Sequence, residues 1–213
     1  MRDLIGIRKV SEHALRHLAD MFADDTNPID PTDVPVDATI VFADIEGFSD
    51  VVAREGDDAA AAVLDQLDAA VEAAVGPTAA RVVKRLGDGV MIAADDPADG
   101  VLVAAALPAA FACRLADTTH PLRLRVGAHR GVVRSRGDDL IGYHVNVAAR
   151  VAEQASGGEA LVTGALHDSV ELSHPLRAVE AGQLVAKGVP ERPRVFRLVV
   201  DAEQSPCEQP LTA

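Results

Sequence analysis

Two aspartates, Asp44 and Asp88, stand where apolar segments of the chain give way to turns. Asp44 ends the apolar run of residues 39–43, and Asp88 lies between two glycines that separate two further apolar runs. Carboxylate oxygens at the ends of neighbouring strands can converge on a hard divalent cation. A single acid in a turn more often caps a backbone group or faces water, so the metal site is a hypothesis that needs support from elsewhere in the chain.

A second polar pair, Asn146 and Arg150, is spaced to act from one helix face. The two residues are four apart in a segment of helical periodicity, so their side chains point in the same direction. The guanidinium of arginine suits phosphate oxygens, and the amide of asparagine offers a donor and an acceptor to a ribose. From spacing alone, a surface amide and a surface cation remain the simpler interpretation.

Hydrophobic periodicity predicts the elements that would position these residues. It indicates a strand at 39–43, a helix at 57–75, a hairpin of 81–86 and 90–93, a helix at about 98–116 and a strand at 122–129. Asp88 falls at the tip of the hairpin, where the adjacent glycines tolerate positive φ. This order, βαββαβ, is that of a ferredoxin-like α+β core. Additional C-terminal strands and helices are predicted at 132–134, 143–154, 160–163 and 194–200.

The predicted domain organisation has one folded unit with an extension at each end. Residues 1–36 form an amphipathic helix and a proline-rich linker, residues 37–200 the domain, and residues 201–213 a polar tail. The helix at 11–22 is either a dimer-contact or regulatory element or a simple cover for the domain, and the sequence leaves both open. His13 and His17 on it lack the glutamate of a zincin motif and are interpreted as surface histidines.

The composition excludes several classes of partner. A formal net charge of −13 repels nucleic acid and anionic membranes, so neither is expected to bind. A small phosphorylated substrate would have to be held by local cations and metals. The longest apolar run, residues 101–113, is interrupted by Pro108 and falls short of the roughly 20 residues that span a bilayer, which predicts a buried helix.

Two further features favour a cytoplasmic protein. Residues 1–10 carry charged side chains around only four apolar residues after Met1, too few for the core of a signal peptide. The two cysteines, Cys113 and Cys207, do not have the pattern of a disulfide framework, which fits a reducing compartment.

Four blocks of the sequence resemble, in order, the motif set of the class III adenylyl and guanylyl cyclases. Residues 42–49 (FADIEGFS) resemble the family's metal-binding strand and turn, with serine at 49 where threonine is common. Residues 84–88 (KRLGD) resemble its Lys-x-x-Gly-Asp hairpin, and residues 139–150 (DLIGYHVNVAAR) its Asp-x-x-Gly-x-x-Val-Asn-x-x-x-Arg stretch, the most specific match. Residues 187–188 (KG) are similar to its terminal Lys-Gly. Together the blocks span about 145 residues.

The resemblance implies a role for each matching position. Asp44 and Asp88, with the carbonyl of Ile45, would hold two Mg²⁺ or Mn²⁺ ions. Lys84 and Asp139 would recognise the base, and this pair is complementary to adenine and therefore to ATP. The remaining implied positions are Asn146 for the ribose, Arg150 for charge on the α-phosphate and Lys187 for the triphosphate. The implied reaction is in-line attack of the ribose 3′-oxygen on the α-phosphorus, assisted by both ions, giving 3′,5′-cyclic AMP.

The resemblance also implies a homodimer with shared active sites. In the family the metal half-site and the base half-site come from opposite chains, and this sequence carries both. The stretch between Val133 and Asp139 is short, which predicts an abbreviated dimerisation arm, as in one bacterial subgroup. Glu46 and His144 occupy variable motif positions and receive no role. Two alternatives remain, a catalytically silent nucleotide-binding or dimerisation module and a guanylyl cyclase, which would need other residues at 84 and 139.

Overall fold

Residues 34–116 and 122–201 are described by a computed structural model, in which strands and helices alternate along the chain. The elements are β1 (Pro35–Glu46), α1 (Phe48–Glu55), α2 (Asp57–Val75), β2 (Arg81–Arg85), β3 (Gly89–Ala94), α3 (Pro97–Arg114), β4 (Arg123–Arg136), β5 (Asp139–Ile141), α4 (Tyr143–Gln154), β6 (Ala160–Thr163), α5 (Gly164–His167), β7 (Leu176–Gln183) and β8 (Arg194–Val200). The strands of this part of the chain form one eight-stranded sheet.

The first half of the sheet has the predicted ferredoxin-like arrangement. Strand β1 pairs antiparallel with β3 on one side and with β4 on the other, and β2 pairs antiparallel with β3. The resulting order, β2-β3-β1-β4, continues through β6 and β8 to β7, while β5 forms a hairpin with β4. Strand β6 lies parallel to β4 because helix α4 carries the chain back along the sheet between them. The expected α+β core with added C-terminal strands and helices is therefore confirmed.

Helices cover both faces of the sheet, as the side chains of β1 illustrate. Its residues Val41 and Ala43 belong to the apolar cluster formed with α2 and α3. Ile40 and Phe42 belong to a second cluster, which includes inward residues of α4 on the opposite face. Successive side chains of a strand point to opposite faces, so a continuous apolar run is required where helices cover both.

Helix α3 is the buried helix that the sequence predicts. Among the described residues it is the one helix long and apolar enough to cross a membrane by length and composition alone. Its side chains at Val103, Leu107 and Phe111 are fully buried in the core, where the helix packs on α2 and β4. Asp96 caps its start by accepting a hydrogen bond from the amide of Ala98 at 2.8 Å.

Several elements differ from the prediction. Strand β1 extends through Asp44 to Glu46, because β4 pairs with it along the whole of its length. Residues 122–129 and 132–134 belong to a single strand, since that pairing outweighs the break in alternation at Arg130 and Gly131. Strand β7 was missed because most of its residues are exposed at the edge of the sheet and carry no strong pattern. Helices α1 and α5 are short and were also not predicted.

Other expectations concern residues beyond the described part of the chain. The amphipathic helix at 11–22, its two histidines and the tail from residue 202 lie outside it. Within the described residues, Cys113 is disulfide-bonded. The sequence analysis found no pattern of a disulfide framework and did not anticipate this bond, because sequence spacing does not show which distant residues meet in space.

Gly127 of β4 sets how closely helix α4 packs on the sheet. A Cβ atom at this position would lie 2.0 Å from the backbone nitrogen of Ala152. We expect Gly127→Ala to reduce the free energy of unfolding by about 3 kcal/mol, because neither backbone can yield without moving the helix. Urea unfolding measures this. Gly164→Ala is the matched control, since its Cβ would meet only the Arg194 side chain at 3.6 Å. Equal stability of the two variants would contradict the prediction.

Candidate functional site

The predicted metal ligands meet at one end of β1. Asp44 pairs in register with Gly89, the residue that follows Asp88. The amide of Ile45 donates a hydrogen bond to the backbone oxygen of Asp88 at 3.2 Å. A Cβ atom at Gly89 would lie 3.0 Å from the backbone oxygen of Ala43, so a glycine lets the hairpin approach β1 closely. The structure thus brings Asp44, Ile45 and Asp88 together, as the sequence predicts.

We call the group formed by Asp44, Ile45 and Asp88 the metal-binding corner. The electrostatics of this corner favour a bound cation. Burial raises the pKa of Asp44 above its ordinary value, although the neighbouring Arg125 lowers it in part. Burial, followed by the negative charge of Asp44, raises the pKa of Asp88 to about 6. Two half-buried carboxylates that repel each other are stabilised in their ionised form by a positive charge between them. Their donor set, two carboxylates beside a backbone carbonyl, fits Mg²⁺ or Mn²⁺.

One chain supplies only part of a coordination shell. Within residues 34–116 and 122–201, no group of three or more His, Cys, Asp or Glu side chains is arranged to hold a metal ion. A hard cation with six ligand positions would therefore take its remaining ligands from substrate oxygens and water.

Arg125 is a site residue that the sequence analysis missed. It lies directly opposite Asp44 in the β1–β4 register and forms an ion pair with that carboxylate. Its Nε atom is buried with no hydrogen-bond partner in the described structure. The alternation of polar and apolar residues in β4 placed Arg125 on the exposed face, and that pattern does not show which residue lies opposite it.

Lys84 and Asp139, the residues expected to recognise the base, form an ion pair. The Lys84 Nζ atom lies 2.7 Å from Oδ2 of Asp139, and both side chains are partly buried. The other carboxylate oxygen of Asp139 accepts a hydrogen bond from the amide of Leu140 at 2.8 Å, which fixes its orientation. The pair joins β2 to β5, two elements that are far apart in the sequence.

Asn146, Arg150 and Lys187 form the third group, at helix α4. Arg150 and Lys187 line one open cleft of about 270 Å³ between α4 and the segment after β7. Gly188, with φ of +83°, brings that segment against the helix, since a Cβ atom there would lie 3.6 Å from the side-chain nitrogen Nδ2 of Asn146. The fourth motif block is thereby placed beside the third.

The guanidinium of Arg150 is held by an acid on its own helix. Nη1 of Arg150 donates to both carboxylate oxygens of Glu153, at 2.8 and 2.6 Å. Its Nε atom is buried and has no hydrogen-bond partner in the described structure, so part of its donor set is unused. A phosphate reaching Arg150 would have to compete with Glu153 for the same guanidinium.

The raised pKa of Asp88 gives a stability prediction for the metal-free protein. The folded form holds its proton up to about pH 6, against 3.8 for an unperturbed carboxyl. The free energy of unfolding therefore falls as the pH rises from 3.8 to about 6. Asp88→Asn has no carboxyl to titrate and should not show this fall. After a discount for the partial exposure of the carboxyl, we expect the variant to be about 1–2 kcal/mol more stable than wild type at pH 7.5.

Urea unfolding in EDTA at pH 7.5 and pH 4 measures this difference, which should fall to a small fraction of its value at the lower pH. Added Mn²⁺ should stabilise only the wild type. A less stable variant at pH 7.5 would show that the Asp88 carboxylate is already neutralised within the chain.

The arrangement of these groups corresponds to a known family. The sequence profile of the adenylate and guanylate cyclase catalytic domain matches residues 33–198. The chain belongs to this family. It is 32% identical over 158 residues to a protein named putative adenylate cyclase 3 of Rhizobium meliloti, covering 73% of this chain and 27% of that protein. It is also 32% identical over 174 residues to an adenylate cyclase of Streptomyces griseus, covering 79% of this chain and 41% of that protein.

Solved structures agree on the fold of this cyclase domain. The adenylyl cyclase CyaB from P. aeruginosa superposes with a TM-score of 0.71 at 21% identity, covering 81% of this chain and 98% of that one. The guanylate cyclase domain of RhGC from Catenaria anguillulae, in complex with GTP, superposes with a TM-score of 0.64 at 17% identity, covering 78% and 98%. Because both kinds of cyclase share the fold, the choice of nucleotide depends on individual side chains. The aligned part of the chain spans less than half the length of each of these two curated relatives.

Proposed function

We propose that this cyclase domain converts ATP into 3′,5′-cyclic AMP and pyrophosphate. The observation that supports ATP is the Lys84–Asp139 pair, a donor and an acceptor held 2.7 Å apart. Asp139 accepts from the 6-amino group of adenine while Lys84 donates to N1. Guanine carries the reverse pattern at these two positions, an acceptor at C6 and a donor at N1. A base that leaves buried polar groups unpaired is strongly rejected.

The metal-binding corner serves the triphosphate. Asp44, Asp88 and the carbonyl of Ile45 hold two divalent cations, Mg²⁺ or Mn²⁺. When bound, these ions neutralise phosphate charge and lower the pKa of the attacking hydroxyl. Arg125 partly offsets the effect of burial on the pKa of Asp44, and so favours the ionised carboxylate that can act as a ligand. The overall charge of −13 repels a triphosphate, so binding depends on these local charges.

The other polar residues orient the reacting atoms. Asn146 holds the ribose so that its 3′-oxygen is in line with the α-phosphorus. That oxygen forms the new bond to phosphorus while the bond to the bridging oxygen of pyrophosphate breaks. Arg150 stabilises the charge that develops on the α-phosphate, and Lys187 holds the outer phosphates. No side-chain nucleophile takes part.

The complete site is formed by two copies of the chain. The cleft that contains Arg150 and Lys187 is lined by neither Asp44 nor Asp88, which supports separate half-sites in a single chain. A symmetric homodimer then contains two complete sites, each with the metal corner of one chain and the base-binding pair of the other. Activity per chain should therefore rise with protein concentration before reaching a plateau.

One observation favours a catalytically silent module as the second candidate. The charges of the site are paired within the chain: Asp44 with Arg125, Lys84 with Asp139, and Arg150 with Glu153. A protein that only binds nucleotide or dimerises could keep these pairs permanently. An active enzyme has to exchange them for substrate contacts.

A direct assay separates the candidates. Purified protein is incubated with ATP or GTP and either Mn²⁺ or Mg²⁺, over a range of protein concentrations, and both cyclic products are quantified. We expect cyclic AMP from ATP, with turnover per chain that increases with concentration. Cyclic GMP as the main product would overturn the assignment of the base-binding pair. Nucleotide binding without either product would support the silent module.

A further inference from the structure

A buried chain of hydrogen bonds links helix α4 to the middle of the sheet. Nδ1 of His129 on β4 lies 2.7 Å from Oγ1 of Thr163 on β6. Nε2 of His129 lies 2.7 Å from Nδ1 of His144, the second residue of α4. The two ring planes lie at 19° to each other, with centroids 5.0 Å apart, so the rings meet nearly edge to edge. Thr163 is fully buried and His129 is 5% exposed, so neither has ready access to water as an alternative partner.

The sheet surface is shaped to receive the His144 ring. A Cβ atom on Gly131 of β4 would lie 2.4 Å from this ring, so a glycine is required beneath it. On the other side, the ring of Tyr143 meets His144 edge to face at 5.3 Å, and the Tyr143 hydroxyl donates a hydrogen bond to Glu191. His144 is thus fixed from both sides.

His129 takes part in this chain of hydrogen bonds in its neutral form. Burial, and secondly the neighbouring His144, lower the pKa of His129 to about 4. At neutral pH His129 is therefore uncharged, and a single N–H lies between Nε2 of His129 and Nδ1 of His144. Loss of that bond would leave a buried ring nitrogen of His129 without a partner.

The first turn of α4 has no capping side chain. Its N-cap is Gly142, which supplies no capping side chain, and the turn contains no acidic residue. The backbone amide of Asn146 is bonded to the Gly142 carbonyl at a rather long 3.3 Å. His144 therefore provides the anchoring that a capping side chain usually provides, from within the turn that carries Asn146.

We propose that His144, through its hydrogen bond to His129, is a positioning residue that fixes the first turn of α4 and so aligns Asn146 and Arg150 for the reaction. This inference rests on the roles that the proposed function gives to those two residues. Misalignment by a fraction of an ångström lowers the rate of an in-line reaction while leaving most nucleotide contacts intact.

The test compares four single variants in the full chain. In His144→Asn the amide occupies the position of Nδ1 and can keep the bond to His129. In His144→Gln the amide lies one carbon further out and cannot replace Nδ1, and His144→Leu removes the bond entirely. His167→Leu is the control, since His167 stacks on Phe196 at 4.0 Å and belongs to helix α5, which packs on the opposite face of the sheet from α4.

We expect His144→Gln and His144→Leu to lower kcat for ATP by about tenfold or more, with KM within about twofold of wild type. His144→Asn should keep most of the rate, and His167→Leu all of it. If His144→Leu does not fold, the Asn and Gln variants still decide the outcome, because both are polar and differ only in reach. A kcat for His144→Gln equal to that of His144→Asn would overturn the proposal.

Hydrogen exchange of the Asn146 amide provides a readout independent of activity. Exchange should be faster in His144→Gln than in wild type and close to wild type in His144→Asn. Unchanged exchange in the Gln variant would refute the anchoring role even if the protein were inactive. Conversely, an inactive wild type with the expected exchange pattern would refute the proposed function and leave the anchor standing.

Discussion

Replacing Asp88 with alanine is expected to abolish cyclic AMP formation, with a loss of at least about a thousandfold in kcat. Burial destabilises this carboxylate and raises its pKa to about 6. A carboxylate kept in such an unfavourable environment is a candidate for a functional role. Asp44→Ala should have the same effect on turnover. It also removes the partner of Arg125, so the Asp88 variant is the cleaner test of the metal site.

The matched control for this experiment is Asp95→Ala. Asp95 is exposed and follows the far end of β3, whereas Asp88 precedes the near end. Titration with Mn²⁺ should show binding to wild type and to the control but not to the Asp88 variant. All three proteins should remain folded by circular dichroism. Residual activity in Asp88→Ala above about one per cent would mean that this carboxylate does not hold an essential ion.

The helices and strands with strong periodicity could be predicted from the sequence. The bounds of α2, α4, β6 and β8 agree with the structure, because each has a clear apolar face or a fully apolar run. The edge strand β7 could not be predicted, since an exposed edge imposes little pattern on its residues. The length of β4 could not be predicted either, because it depends on its pairing with β1.

In the candidate site, too, some features could be predicted from the sequence and others could not. The proximity of Lys84 and Asp139 followed from the family resemblance, because no local pattern connects residues 55 positions apart. The partners of the site residues could not be anticipated at all. Arg125 meets Asp44 through strand register, and His144 meets His129 through the packing of a helix on a strand. Such contacts depend on tertiary structure and leave no mark in the spacing of the sequence.

The paired charges suggest what binding of substrate must change. Within the described residues, the donor of Lys84 is bonded to the acceptor of Asp139, and these are the two groups that the adenine base would use. The base can enter between them by exchanging one buried hydrogen bond for two. A similar exchange applies to Arg150, whose bonds to Glu153 a phosphate would replace. Guanine could not complete the first exchange in the same orientation, so under the proposed function the ion pair itself would contribute to selectivity.

Mixing two inactive variants is expected to restore activity if the sites are shared between chains. Asp44→Ala lacks a metal ligand and Lys84→Ala lacks a contact to the base, so each homodimer has two defective sites. A heterodimer has both lesions in one site and neither in the other. With equal amounts and free exchange, half of the dimers are mixed and each has one working site, which predicts about one quarter of wild-type activity.

The control for this experiment mixes Asp44→Ala with Asp88→Ala. Both lesions then lie in the metal half-site, so each site of the heterodimer still lacks one ligand and no activity should return. The pair of mixtures separates shared sites from simple stabilisation by a partner, because stabilisation would rescue both mixtures equally. Recovery in neither mixture, at concentrations where mixed dimers are shown to form, would mean that each chain builds its site alone.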